Sequence, residues 1–295
     1  MAGRNGAEQV AGINRNEWPK WPGIRTICSK GSSPMSKSRI LSLFVFFFIL
    51  IILLPILYFL ALPDVSSLEK KNPRKTAFME YREKERKSKG QHYKIIQIWT
   101  PLSKISPYLT KAVLIAEDDK FWKHEGFDYD SIQKAMEKDI QRRKFKFGGS
   151  TISQQLGKNL YLSPVKSLWR KTLEAILTWK LERTLSKRRI LELYLNVAEW
   201  GEGIFGAEAA AGHYFGKASS NLTPLEAARL AAVLPNPRKY DPIGNQRYVL
   251  NRSRLIYEIM IRRGIVEPEF EQMGRAPEGN QPENKPKPAP FPPLP

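Results

Sequence analysis

Cysteine is nearly absent: Cys28 is the single one in 295 residues. One thiol builds neither a disulfide framework nor a cysteine-ligated metal site. Histidine is almost as scarce, and His92, His124 and His213 stand too far apart for the paired spacing of a helical zinc site. No Walker-type phosphate loop and no dinucleotide fingerprint occurs, which removes those two nucleotide-binding readings. Acidic residues are also in deficit, 29 Asp and Glu against 48 Lys and Arg, for a formal net charge of +19. That excess points to an anionic partner: nucleic acid, a phospholipid surface or a phosphorylated substrate.

What the chain does hold, first, is an uncharged apolar run. Residues 1–39 are polar and basic without apolar periodicity, and read as a flexible tail. Residues 40–62 then carry no charge, and as a helix they reach about 30 Å, the hydrocarbon thickness of a bilayer. They are expected to form one transmembrane helix, in which Pro55 is tolerable, and they lie too far in and run too long for a cleaved leader. The basic tail argues for an N-terminus inside and the rest outside, although Lys70, Lys71, Arg74 and Lys75 on the far side oppose that bias. Residues 63–95 read as a charged linker with a short strand near its end, 96–264 as one helical domain, and 265–295 as a proline-rich tail.

The domain is organised around the residues that follow Ala116. Ser106 and Pro107 signal a helix start, and Leu109, Ala112, Val113 and Ala116 mark its buried face. Glu117 falls four residues after Val113, at the edge of that stripe, and partial burial would raise its pKa toward the range a general base needs. A second helix is expected from a cap at Asp130, ending in the basic residues Lys138, Arg142, Arg143, Lys144 and Lys146, which could lie against anionic headgroups.

Two further stretches bring polar groups together. Gly148, Gly149, Ser150 and Thr151 form a flexible loop that starts a helix, whose N-terminal N–H groups would be offered to an anion. Gln154, Gln155, Lys158 and Asn159 follow on adjacent turns. A helix from Ser167 to about Leu185 then carries Trp169, Leu173, Ile176, Leu177 and Leu181 as its expected buried stripe, with Glu174 at the border. Arg170 and Lys171 precede Glu174 by one turn and keep it ionised, so with Lys158 and Lys166 they make a cationic site suited to phosphate. Downstream, Thr223 and Glu226 make a capping box around Pro224, and a last helix from Gln246 ends at Gly264.

Taken in order, these stretches resemble the family 51 glycosyltransferases, the peptidoglycan transglycosylase domains. Glu117, Asp118, Phe121, His124, Gly126 and Asp128 match the family's first motif, E-D-x-x-F-x-x-H-x-G-x-D. Residues 148–159 resemble its second motif, with Ser153 where threonine is usual, and residues 170–174, 186–196 and 222–237 resemble the remaining three. Two S-x-x-K matches (Ser67 to Lys70 and Ser163 to Lys166) lack any accompanying K-T-G, so the likeness is to monofunctional members without a penicillin-binding domain.

The resemblance implies an all-α, lysozyme-like catalytic domain behind a single membrane helix, in the bacterial cytoplasmic membrane with the domain periplasmic. It implies polymerisation of lipid II onto a growing glycan strand, by inversion, with Glu117 as general base and Glu174 as the second catalytic acid. Asp118, Phe121, His124, Ser150, Thr151, Gln154, Gln155, Lys158, Asn159, Lys166, Arg170 and Lys171 would line the substrate. No cofactor is required, although Mg²⁺ or Mn²⁺ could accompany the pyrophosphate. The membrane is a partner, with cell-wall or cell-division proteins as further ones, whereas nucleic acid is excluded by placement outside the cytoplasm. Two rival readings are a lysozyme-like hydrolase or lytic transglycosylase, and an inactive membrane-anchored scaffold. The cations around Glu174 favour transfer from a lipid pyrophosphate over hydrolysis, which needs an acid but no such cluster.

Overall fold

Hydroxyl side chains cap five of the ten α-helices among the described residues. A computed structural model describes residues 36–60, 62–91, 94–142, 149–165 and 167–267, and the chain divides into two compact units, Met1–Ala61 and Leu62–Pro295. In the first unit, α1 (Lys37–Leu60) is one helix that continues through Pro55. It exposes Leu41, Phe44, Phe46, Phe48 and Ile51. Among the described residues no helix is long and apolar enough to cross a membrane. The side chains of residues 54–60, and all of Ala61, fall outside the described set, so the expected span at 40–62 lies partly beyond it. Both tails, residues 1–35 and 268–295, lie outside it as well.

The second unit is mostly helical. It runs α2 (Ala77–Ser88), β1 (Ile96–Gln97), α3 (Pro107–Glu117), α4 (Tyr129–Arg142), α5 (Ile152–Tyr161), α6 (Leu168–Thr184), α7 (Lys187–Val197), β2 (Glu199–Gly201), β3 (Ile204–Phe205), α8 (Ala207–Phe215), α9 (Pro224–Val233) and α10 (Arg247–Arg262). Thr76, Thr151, Ser167, Ser186 and Thr223 cap α2, α5, α6, α7 and α9 by accepting an N–H of the first turn. Capping boxes close α5 with Gln154 and α9 with Glu226. Ser106 departs from this pattern. Its hydroxyl donates to the Leu222 carbonyl instead of capping α3, so it ties two segments together.

The core forms where α3, α9 and α10 pack together and where α5 packs on α6 and α7. Helix α7 is the centre: Ile190, Leu191, Leu193, Tyr194, Leu195 and Val197 are all buried. Complete burial of each such aliphatic side chain contributes about 1.5–3 kcal/mol. Asn196 at its end holds Thr100 through both backbone groups, at 2.8 and 2.9 Å, which anchors the chain just past β1. That strand pairs parallel with β3, and β3 pairs antiparallel with β2 across a bulge. The expected all-α fold thus carries a small sheet ordered β1-β3-β2.

Three expectations are corrected by these contacts. Residues 63–95 are not a bare linker, since α2 packs on α5, buries Met79, and sends Arg82 to Glu199 at 2.8 Å. Asp128, not Asp130, caps α4 by accepting the Ser131 N–H, while Asp130 pairs with Lys120. On α6, Leu177 and Leu181 are buried, but Trp169 is 61 % exposed and Leu173 and Ile176 only half-buried, so the buried stripe is narrower than its apolar residues suggest.

Candidate active site

Glu117 closes α3, and the chain turns extended at Asp118 immediately after it. The turn sends the two neighbouring acids different ways. Asp118 points into the fold, where Oδ2 accepts the Ile152 N–H at 2.9 Å and Oδ1 meets His124 Nε2 at 2.9 Å. The Gly126 N–H donates to His124 Nδ1, which leaves the ring proton on Nε2 to be donated to Asp118. Gly126 sits at φ +89, and a Cβ there would come within 2.8 Å of Thr178 Cγ2, so only glycine fits. Its carbonyl accepts the Thr151 hydroxyl at 2.7 Å, binding this loop to the start of α5.

The N-terminus of α5 is therefore not open to an outside anion as expected. Asp118 takes its first N–H, and the Thr151 hydroxyl takes another, from Gln154. The Gln154 side chain accepts the Thr151 N–H in return. Asp118, Phe121, Thr151, Gln154 and Asn159 are all buried, and His124 is nearly so. They form the frame behind the site. Phe121 is wholly inside, with the Lys187 ammonium 4.5 Å from its ring centroid.

Glu117 is held over this frame. Its side chain is 11 % exposed, and Oε2 accepts the Gln155 amide at 2.9 Å. Gln155 is itself fixed, because the buried Tyr194 hydroxyl donates to its Oε1. Burial pushes the Glu117 carboxyl above its ordinary value, against the opposing pull of Gln155, Arg252 and Lys158. The same burial, with the nearby Glu117 and Asp118 charges, pushes the Tyr194 hydroxyl well above its usual range, so it stays a donor.

Across from this acid, α6 presents Glu174, 3 % exposed. Arg170 Nη1 holds its Oε2 at 2.9 Å and the Lys171 ammonium holds Oε1. Lys171 also reaches Ser150 Oγ at 3.3 Å. Lys158, from α5, is under the influence of both Glu174 and Glu117. Burial lowers its ammonium pKa, Arg170 and Lys171 push the same way, and the two carboxylates oppose them. The structure thus brings together Glu117, Gln155, Lys158, Glu174, Arg170, Lys171 and Ser150. Lys166 lies outside the described residues, as do residues 143–148 of the basic segment.

Sequence reasoning missed Arg252 and Tyr194. Arg252, on α10, donates to the Ala116 carbonyl at 3.0 Å and stands 3.7 Å from Glu117 Oε1. The available signal was its position one residue before the buried Ser253, at the edge of the stripe made by Val249, Ile256 and Met260. Among the described residues no group of three His, Cys, Asp or Glu side chains could hold a metal ion. Both Glu174 oxygens are already taken by cations, so Glu174 does not offer itself as the corner of a protein metal cage.

A carboxyl raised by burial, sharing a site with a carboxylate wrapped in cations, fits an enzyme that transfers a glycosyl group. Residues 85–261 match the family model described as Transglycosylase, and the chain belongs to that family. Three similar proteins bear the name biosynthetic peptidoglycan transglycosylase. That of Nitrosospira multiformis is 50 % identical over 185 residues, 63 % of this chain and 80 % of the relative. That of Aromatoleum aromaticum is 51 % identical over 190 residues, 63 % of this chain and 83 % of the relative. That of Dechloromonas aromatica is 54 % identical over 170 residues, 58 % of this chain and 74 % of the relative.

Proposed function

We propose that this chain is a peptidoglycan glycosyltransferase that polymerises lipid II, in the bacterial cell envelope. Glu117 takes the proton from the 4-hydroxyl of the acceptor sugar. That oxygen forms a bond to the anomeric carbon of the donor, whose bond to the diphosphate breaks with its electron pair on the departing undecaprenyl diphosphate. One displacement inverts the centre. The leaving group needs no proton, only charge stabilisation, and Lys158, Arg170 and Lys171 supply it. Glu174 acts by holding Arg170 and Lys171 in place. No step is routed through a metal, which would come with the substrate diphosphate and not with a protein cage.

The observation that carries this reading is that Lys158 feels two acids held in different ways: Glu117, buried with Oε1 accepting no hydrogen bond, and Glu174, with both oxygens paired to Arg170 and Lys171. A base side and a phosphate side of one site are what transfer from a lipid diphosphate demands. A hydrolase would have no need of the cations around the second acid. The lysozyme-like arrangement of the helices, the anchoring of the chain by α1 in the cytoplasmic membrane with the domain periplasmic, and engagement of other cell-wall proteins belong to the same proposal. The uncharged run at residues 40–62 supports it, since a tether holds the enzyme where its lipid substrate is concentrated.

The test is incubation of the full chain with labelled lipid II. Lysozyme-sensitive glycan should appear, and Glu117→Gln should abolish it. Glycan formed undiminished by Glu117→Gln would remove the base, and its absence with the native chain would remove the reaction.

A further inference from the structure

One oxygen of Glu117 has no hydrogen bond to account for it. Oε2 takes the Gln155 amide, while Oε1 is buried and accepts none from the described residues. Opposite Oε1 stands Arg252 Nη2, at 3.7 Å, and the Nε of the same guanidinium is likewise buried without an acceptor. The separation is too long for a hydrogen bond but short enough for strong charge attraction in a shielded site. It is also not accidental. Nη2 donates at 3.0 Å to the carbonyl of Ala116, the residue on which Glu117 follows, so the guanidinium is fixed to the backbone that carries the acid. A second clamp lies just past the end of the same helix, where Arg263 holds Asp119 with Nη1 and Nη2 at 2.5 and 2.9 Å. Helix α10 thus grips the end of α3 on either side of Glu117.

We infer that Arg252 is a positioning residue for Glu117: pinned to the Ala116 carbonyl, it favours the ionised carboxylate and keeps Oε1 free to receive the acceptor's proton. This rests on Glu117 being the general base. The cation is held back from Oε1 by its own backbone bond. A direct ion pair would occupy the oxygen and blunt its basicity, whereas a cation one step away stabilises the charge and leaves the lone pair open. Other titratable groups facing Glu117 are Asp118 on α3, Lys158 on α5, Tyr194 on α7 and Tyr248 on α10. On α9, packed against α3 and α10, Arg229 bonds the Pro242 carbonyl and Glu226 pairs with Lys217.

The experiment is the pH dependence of lipid II polymerisation by the full chain, with Arg252→Gln, Arg252→Lys, Arg263→Gln and Glu117→Gln. Loss of the cation should raise the Glu117 pKa further, so the acid limb of the Arg252→Gln profile should move up by about one pH unit. Its rate should then fall about tenfold on the acid side and recover on the alkaline side. Arg252→Lys should return most of the limb, and Arg263→Gln should leave it where it is. A rate lost by one factor at every pH, or a limb that does not move, overturns the inference. Runs at low temperature keep a destabilised variant folded while the limb is read. Residual activity of Glu117→Gln would instead overturn the base assignment, whatever Arg252 does.

Discussion

Asp118 and Ile152 are joined by a hydrogen bond of 2.9 Å from the first backbone N–H of α5 to a buried carboxylate. The acid next to Glu117 is thereby spent on structure, closing a helix end with the charge its dipole favours. It also receives the His124 Nε2–H, and His124 is in turn locked by the Gly126 N–H. Two adjacent carboxylates, Glu117 and Asp118, thus differ in use: Glu117 keeps one oxygen without a hydrogen bond, and Asp118 holds the site together.

Asp118→Asn should therefore cost stability before it costs chemistry. The amide can still accept the Ile152 N–H with its oxygen, but its NH₂ then faces the His124 N–H, donor against donor. Leaving that buried donor unmet, with the helix-end charge gone, should destabilise by about 1–3 kcal/mol. Urea unfolding measures it, and an unchanged midpoint would show that the contact contributes nothing.

Gln155→Leu should move the activity profile, because the amide lowers the Glu117 pKa by donating to the charged form. Without it the base protonates at higher pH, so the acid limb of kcat/KM rises. Tyr194→Phe should do the same more weakly, by freeing the Gln155 amide to rotate. An acid limb that stays put in both variants would show that burial alone sets the base.

Gly126→Ala should be destabilising by about 1–3 kcal/mol, from a positive φ and a methyl pushed into Thr178 and Glu182. Thr178→Ser removes the closer methyl and should recover part of the loss, though not the backbone strain. Thermal unfolding of the double variant separates the two costs; no recovery would place the whole effect in the backbone.

How far all this was legible follows from sequence separation. The capping box at Thr223 and the stop at Gly264 are local patterns and could be read directly. So could the pairing of Glu174 with Arg170 and Lys171, one helical turn apart. The destination of Asp118 could not, because its partner N–H lies 34 residues on. The same holds for Arg252, which reaches Ala116 across 136 residues. Helix α2 looked like a charged linker because it buries little beyond Met79. Its docking relies on Arg82 and Glu199, 117 residues apart, and charge alone does not disclose a partner.

That distant pair makes a prediction of its own. Glu199 is buried, which raises its carboxyl above the ordinary 4.5, and Arg82 pulls it back. Arg82→Met would leave a buried charge without its partner, at about 3–5 kcal/mol. A carboxyl raised in the folded state stabilises most below its unfolded value and loses that contribution as pH rises through the folded one. Arg82→Met should therefore be least impaired in acid and progressively worse toward neutrality. A deficit independent of pH would mean that Glu199 keeps its charge by other means.

Lys158 should set the other side of the pH profile. Burial, with Arg170 and Lys171 close by, lowers its ammonium pKa, so it surrenders its proton earlier than an exposed lysine as pH rises. If it stabilises the departing diphosphate, activity should fall on the alkaline side. Lys158→Arg keeps a charge that does not titrate in this range and should flatten that limb, at some cost in rate from the altered geometry. Lys158→Met should lose about 10²–10³ in kcat, the scale of removing one preorganised donor from developing charge. Should Lys158→Met lower kcat by less than a few-fold while raising KM, the lysine would be binding the donor equally in ground and transition states, and the leaving group would owe its stabilisation to Arg170 and Lys171.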